Sequence, residues 1–394
     1  MNFKNHIIQV LIIAIIITPS LKIQASSYGP SLLFHKPYCA EKYLADFFMS
    51  FSAGQTDEAY NRNGQVVPFL QQYGSEDLLK RFLDYSLPKN DNESAGIINF
   101  SGIFNFQRLN FFYHKNICHN LFFGISTSIQ NLSVNQIDLD VQLNQTLTDL
   151  ELQRLEVFEA KIPKNLNSSG IYSTGIHLGY NKMFTDFESL HFLHLFLEGS
   201  LGIPQILYGH NLTILQYPLG GNIAFSYPTT AILALGISKY INVGFYGMII
   251  PIQPRQVNAP VNASNSNNQL LAMDVTRIQV NPKPVFSTAF YIEAHSFLPN
   301  FMATAGYGYS HGMKWSISSF NESDFPTEII NNNEILNAWT ISSLFIQCDY
   351  SFASGKRPHA PTVSFYYTMP LAGIFYPKIQ IIGGAYNMAI RYEF

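Results

Sequence analysis

Much of the chain alternates between large apolar residues and small or polar ones. Ile98, Phe100, Gly102, Phe104 and Phe106 fall on one side of an extended segment, and Asn99, Ser101, Asn105 and Gln107 fall on the other. A period of two is what a β-strand with one oily and one wet face requires. The pattern recurs. Phe123, Ile125 and Ile129 stand against Gly124, Ser126, Ser128 and Gln130, and Tyr172, Ile176, Leu178 and Tyr180 against Ser173, Gly175, His177 and Asn181. Phe286, Phe290 and Ile292 oppose Ser287, Tyr291, Glu293 and His295, while Val363, Phe365, Tyr367 and Met369 oppose Thr362, Ser364, Tyr366 and Thr368. Roughly twelve strands are predicted, each near the 9–11 residues of a tilted span. They centre on Phe51, Ile103, Ser126, Ile176, Leu195, Leu235, Phe245, Phe290, Ala305, Phe345, Phe365 and Asn387. The large residues are expected on the outer face and the small and polar ones toward a wet interior.

The connections alternate too. After odd-numbered strands they are long: Gln55 to Ser94, Val134 to Ser168, Pro204 to Thr229, Ile252 to Lys283 and Met313 to Ile335. After even-numbered strands they are short, near Asn116, Asp186, Tyr240-Ile241-Asn242, Pro299-Asn300 and Lys356 to Ala360. Ala263 to Gln269 and Asn331-Asn332-Asn333 carry the polar, turn-prone chemistry of solvated loops. Ser75 to Leu87 places Leu78, Leu79, Phe82 and Leu83 at helical spacing, and Asp149 to Ile162 reads as a helix or as an extension of the wall.

Composition decides between a soluble sandwich and a membrane barrel. Charged residues are 12% and aromatics 14%, with 32 Phe and 23 Tyr, against about 25% charged residues in ordinary soluble domains. Beyond the N-terminus no stretch approaches the roughly 18 consecutive apolar residues of a spanning helix. A closed antiparallel up-and-down β-barrel is the remaining way to satisfy a backbone inside lipid. Lys4, the apolar run Ile7 to Ile17 and Ile23-Gln24-Ala25 predict a signal peptide over residues 1–25, cleaved after Ala25, with residues 26–394 as the barrel. The net charge of −3, with no basic patch among aromatics, disfavours nucleic acid as a partner.

The last strand is the most specific feature. Tyr386, Met388, Ile390, Tyr392 and Phe394 alternate with Ala385, Asn387, Ala389, Arg391 and Glu393. This resembles the C-terminal β-signal of Gram-negative outer-membrane β-barrel proteins. The resemblance implies a cell outer membrane location, contact with outer-membrane lipid, and reading of these residues by the barrel-assembly machinery. It also implies that the long connections are extracellular and that the short turns and both termini are periplasmic. Cys39 and Cys118 then share the periplasmic side, where a disulfide is permitted if the N-terminal segment folds across. Cys348 is expected to face lipid.

In this register His177, His194, Glu198, Glu293, His295, Asp349 and Arg391 point inward, as lumen-lining candidates whose charges tune passage. The competing reading is a packed interior in which they pair with one another. Gly175, Gly179, Gly236, Gly306 and Gly308 are expected to leave space in the lumen. Glu198 with His194, or Glu293 with His295, could act as acid–base pairs, but no G-x-S-x-G elbow, HExxH metal motif or Gly-rich phosphate loop marks an enzyme or a cofactor. The favoured expectation is a narrow passive pore for small solutes. The alternative is a surface scaffold or adhesin working through its loops, its lumen occluded by an inward-folded Gln65 to Leu87.

Overall fold

A computed structural model describes residues 44–83, 94–118, 120–185, 187–203, 207–208, 215, 224–262, 268–272, 274–295, 298–352 and 361–391. Twelve strands form one wall: β1 (Leu44–Thr56), β2 (Ser94–Cys118), β3 (Leu121–Leu143), β4 (Leu166–Phe184), β5 (Phe192–Ile203), β6 (Thr229–Gly236), β7 (Ile241–Ile250), β8 (Val285–His295), β9 (Phe301–Gly312), β10 (Trp339–Ser351), β11 (Thr362–Ile374) and β12 (Gln380–Arg391). Each pairs antiparallel with its sequence neighbours, and β1 pairs with both β2 and β12. Closure leaves the wall without a free edge, the condition for a sheet to sit in lipid. All of the expected strand centres lie in these strands. Among the described residues no helix is long and apolar enough to cross a membrane.

The alternation sorts residues as the composition demands. Phe51, Leu178, Phe290 and Phe365 point outward and are each at least half exposed, forming the apolar belt of a membrane barrel. Ser50, Ser126, Ser128, His177, Ser287 and Glu293 are buried inside. Five of the six connections at one end are long, as expected. The sixth, residues 375–379 between β11 and β12, is a tight turn.

The clearest departure is in β2. Ile98, Phe100, Phe104 and Phe106 are buried on the inner face, while Asn99, Ser101, Asn105 and Gln107 point out. The reason is length. β2 and β3 run to 25 and 23 residues, about twice a tilted span, so Val134 to Leu143, expected in a loop, continues the wall. The extension stands clear of lipid. Its outward face is polar, with Asn105 beside Ser133 and Gln107 beside Asn131, and its inward face covers an apolar core. Tyr172 is a second departure: a bulge opposite Ser128 and Ile129 brings its ring to Arg108, 4.7 Å from the guanidinium carbon.

The segments between strands are more structured than their composition suggests. Asp149–Lys161 is a helix, started by a Thr148–Glu151 capping box. Ser75 to Leu87 is not one helix: Glu76–Leu79 pairs with β2 as a strand and Lys80–Leu83 makes one helical turn. Asn331 hydrogen-bonds the backbone of Ile317 and Thr327, and Asn268 and Gln269 are buried, so none of the three is a solvated loop residue. The short strands Arg255–Val261, Asp274–Asn281 and Ser316–Ser319 form a separate small sheet over a core including Trp315, Ile317 and Phe325. Tyr392 and Phe394 lie outside the described residues, as do residues 1–43, with the expected signal peptide and Cys39. Cys118 is an exposed free thiol at the end of β2, and Cys348 is on the outer face of β10, also free.

The inward glycines do not hold space open. A Cβ at Gly179 would collide with the Phe122 ring, at Gly236 with Phe192 and at Gly306 with Phe345, and at Gly175 would sit tightly against His177 and Ser126; of the five, only Gly308 is unencumbered. The glycines are where rings lie flat against the wall. Gly244 is the sharpest case, because a Cβ there would overlap the ring of Tyr291, which is wholly buried. Gly244→Ala is expected to cost about 1–3 kcal/mol through overpacking, seen as a lower urea midpoint for the barrel in detergent micelles. An unchanged midpoint would show that the ring has room to move.

Candidate functional site

The interior polar groups are brought together by register. His177 on β4 lies opposite Gly124 on β3 and Ser200 on β5, and Glu198 lies opposite Gly179. Glycine at positions 124 and 175 lets the imidazoles of His114 and His177 lie against the wall. His177 Nδ1 then sits 3.0 Å from Glu198 Oε1, and its Nε2 2.7 Å from Ser126 Oγ. A carboxylate at Nδ1 places the ring proton there and leaves Nε2 to accept from the serine hydroxyl. His114 Nε2 is 3.8 Å from the other Glu198 oxygen.

The order hydroxyl, imidazole, carboxylate is that of an activated nucleophile. Acyl transfer also needs donors aimed at a developing oxyanion, and the backbone of β3 and β4 at this level is engaged in ladder pairing. What the geometry provides is a fixed, satisfied polar wall. The remaining described candidates divide between three further places. His194 Nε2 is 2.7 Å from Asn181 Oδ1, so Glu198 pairs with His177 and not with His194. Asn242 donates to Glu293 Oε2 at 3.4 Å and also contacts His295, whose Nε2 is 3.8 Å from Glu293. Asp349 accepts from Gln347 at 2.8 Å. The side chain of Arg391 lies outside the described residues. No group of His, Cys, Asp or Glu among the described residues could hold a metal ion.

Sequence reasoning missed His114, Arg108 and Asp46, all on the inner face. Arg108 Nε donates to Gln130 at 3.0 Å. Fixing the parity of β2 from Arg108, Asn110 and His114, and not from the Ile98 to Phe106 run, would have found the first two. Around these groups the interior is aromatic: Phe122 stacks on Phe196 at 5.3 Å, in a cluster with Ile232, Tyr246, Ala289 and Tyr291.

The second part of the site is the plug segment, residues 57–83, which packs on the inner face of the wall and whose Glu76–Leu79 is itself paired with β2. Phe69 stacks on Phe104 at 4.9 Å, Tyr73 on Phe375 at 5.5 Å, and Phe82 packs on Phe158 at 5.3 Å. One apolar cluster joins Phe69, Leu70, Leu78 and Leu79 to Phe100 and Phe106 of β2, Leu132 and Val134 of β3, Ile341 of β10, Tyr366 of β11 and Ile381 of β12. The plug therefore touches the wall on both sides of the β1 seam. Ala59 and Tyr60 pair with the β11–β12 turn at Pro377 and Tyr376. Lys378 Nζ lies 2.7 Å from Glu58 Oε2, and Arg62 lies 3.3 Å from Glu334.

At the far end of the plug stands Glu76, 1% exposed. Its Oε2 accepts the backbone N–H groups of Gln269 at 2.7 Å and Leu271 at 3.4 Å, and its Oε1 that of Leu270 at 3.0 Å. Burial pushes this carboxyl up to about 8, with the three N–H donors pulling it down and the neighbouring Asp77 charge adding to the rise. Residues 268–271 join three outer segments: Asp77 N–H donates to Asn268 at 3.0 Å, and Asn333 donates to the Gln269 carbonyl at 3.2 Å.

A closed twelve-stranded up-and-down barrel with an apolar outer belt and a polar and aromatic interior has the architecture of the porin-like outer-membrane β-barrels. The chain has the fold of an outer-membrane channel from Pseudomonas putida F1, with 10% identity, a TM-score of 0.50, and coverage of 89% of this chain and 97% of that one. It also aligns with the translocator domain of the autotransporter NalP from Neisseria meningitidis, at 8% identity over 90% of each chain with a TM-score of 0.35. Pseudomonas aeruginosa OccD3 aligns at 9% identity over 95% of this chain and 100% of that one, with a TM-score of 0.32. No family model and no curated protein sequence matches the chain.

Proposed function

We propose that this protein is a channel in the outer membrane that passes small solutes and is closed at its outer mouth by residues 57–83. The observation that carries this reading is that residues 57–75 meet the wall through side-chain packing and the short pairing of Ala59 and Tyr60 with the β11–β12 turn, over an interior lined with polar side chains. A barrel of about twelve strands lies between those filled by side chains and those with an open aqueous channel, so a movable segment suits it. Asp46, Glu198, Glu293 and Asp349 outnumber Arg108 on the inner face, which favours cations.

Single-channel recording in planar bilayers tests the proposal. The mature wild-type barrel is expected to stay mostly closed, and a variant lacking residues 61–83 to conduct steadily with a weak cation preference. Glu198→Gln or Glu293→Gln in that open background should reduce the preference. A second reading, a surface scaffold acting through its loops, is favoured by the packing of the interior itself, where His194 and Tyr291 are wholly buried. No conductance with or without the plug would leave that reading ahead.

A further inference from the structure

The three N–H groups that hold Glu76 belong to consecutive residues and converge on one carboxyl group. Consecutive backbone N–H groups pointing into a concavity make a nest for an oxygen anion or acid, and such nests also capture the terminal carboxylates of ligands. Here the occupant comes from the plug, in the same chain. It is fully enclosed, donors meet both of its oxygens, and among the described residues the charge acting on it is Asp77, of the same sign. The groups entering the core beside it are apolar: Leu78, Leu79, Leu270 and Leu271 are all buried in one cluster.

We propose that the backbone nest of Gln269, Leu270 and Leu271 is a binding site for an amphiphilic monocarboxylic acid, and that Glu76 occupies it as an internal surrogate that keeps the plug shut. A solute acid entering from outside competes with Glu76, takes its place, and frees residues 57–83 from the outer segments. This rests on the channel reading and adds to it a solute class and a trigger. Specificity follows from the donors. With N–H groups on both oxygens, a primary amide in the same place turns its NH2 against a donor and loses that contact, so acid and amide of equal size are distinguished. The carbon chain beyond the carboxyl lies where Leu78 and Leu79 now pack.

Chemical rescue tests this on the full mature barrel. Hydrogen exchange at the amides of residues 269–271 is read in wild type and in Glu76→Ala, without additive and with acetate, acetamide or octanoate, and conductance is recorded in parallel. In Glu76→Ala the exchange of these amides is expected to rise about tenfold or more, the change that goes with losing about 1.4 kcal/mol of closure. Acetate should reverse the rise, octanoate should do so at lower concentration, and acetamide should not. If Glu76→Ala fails to assemble, Glu76→Gln gives the same comparison with one acceptor oxygen retained. Unchanged exchange in the variant, or equal rescue by acetate and acetamide, overturns the proposal. Equal potency of octanoate and acetate overturns the assignment of an apolar tail. Rescue of protection with no conductance in any sample would keep the nest and remove the channel reading, so the two fail separately.

Discussion

Raising the pH from about 5 to about 9 is expected to open the wild-type barrel progressively, with Glu76 as the responsible group. In the closed plug its carboxyl is pushed up to about 8 by burial; in a released plug, in water, it returns to its ordinary value of 4.5. The closed form therefore binds this proton more tightly than the open form. Below 4.5 both forms are protonated and closure keeps its full advantage. Between 4.5 and about 8 the open form has lost the proton while the closed form keeps it, so each unit of pH weakens closure by up to tenfold. Above 8 the advantage is gone. Asp77 is the charged neighbour acting on Glu76, and it pushes in the same direction; the nest itself carries no titratable side chain. Open probability recorded against pH should follow this window in wild type and be flat across it in Glu76→Gln. A flat wild-type profile would remove Glu76 from any control of the plug.

The second large effect is expected from Phe69→Ala. Phe69 is wholly buried and stacks on Phe104 at an interplanar angle of 18°. Truncating a buried phenylalanine costs about 3–5 kcal/mol. Phe69 lies after β1 and not in a wall strand, so the cost is expected to fall mainly on the plug. The variant should assemble normally, keep the wild-type unfolding midpoint of the wall, and show raised hydrogen exchange confined to residues 57–83 and the segments they touch. Loss of assembly would show that plug and wall fold as one unit.

The wall was readable from the chain because lipid imposes a simple rule: one face of each strand must be apolar, and a period of two reports which. Every strand centre from Phe51 to Asn387 followed from it. The rule misled where its premise lapsed. In the upper half of β2, Phe100, Phe104 and Phe106 face not lipid but a protein core, so the apolar face is the inner one, and nothing in the local pattern distinguishes the two cases. The lumen candidates on β4, β5, β8 and β10 lie on the inner face of the wall, but their pairings were not legible. Glu198 reaches His177 across a strand boundary, which depends on register, and register was not available from spacing alone. Glu76 escaped notice for a related reason. Its partners are backbone groups about 190 residues downstream, and a backbone donor has no signature in sequence.

The plug has a consequence for the order in which the molecule is built. It follows β1 directly in the chain, yet its apolar partners run from Phe100 to Ile381. Contacts of such sequence separation form only after the intervening loops have closed. Residues 57–83 therefore cannot settle until β10, β11 and β12 have joined the wall and β1 has met β12. On the proposed closure by residues 57–83, a barrel still being inserted has an open mouth, and closing it is the last event of maturation. Closure of the mouth is then a report, made by the first segment to follow a wall strand, that the last strand is in place.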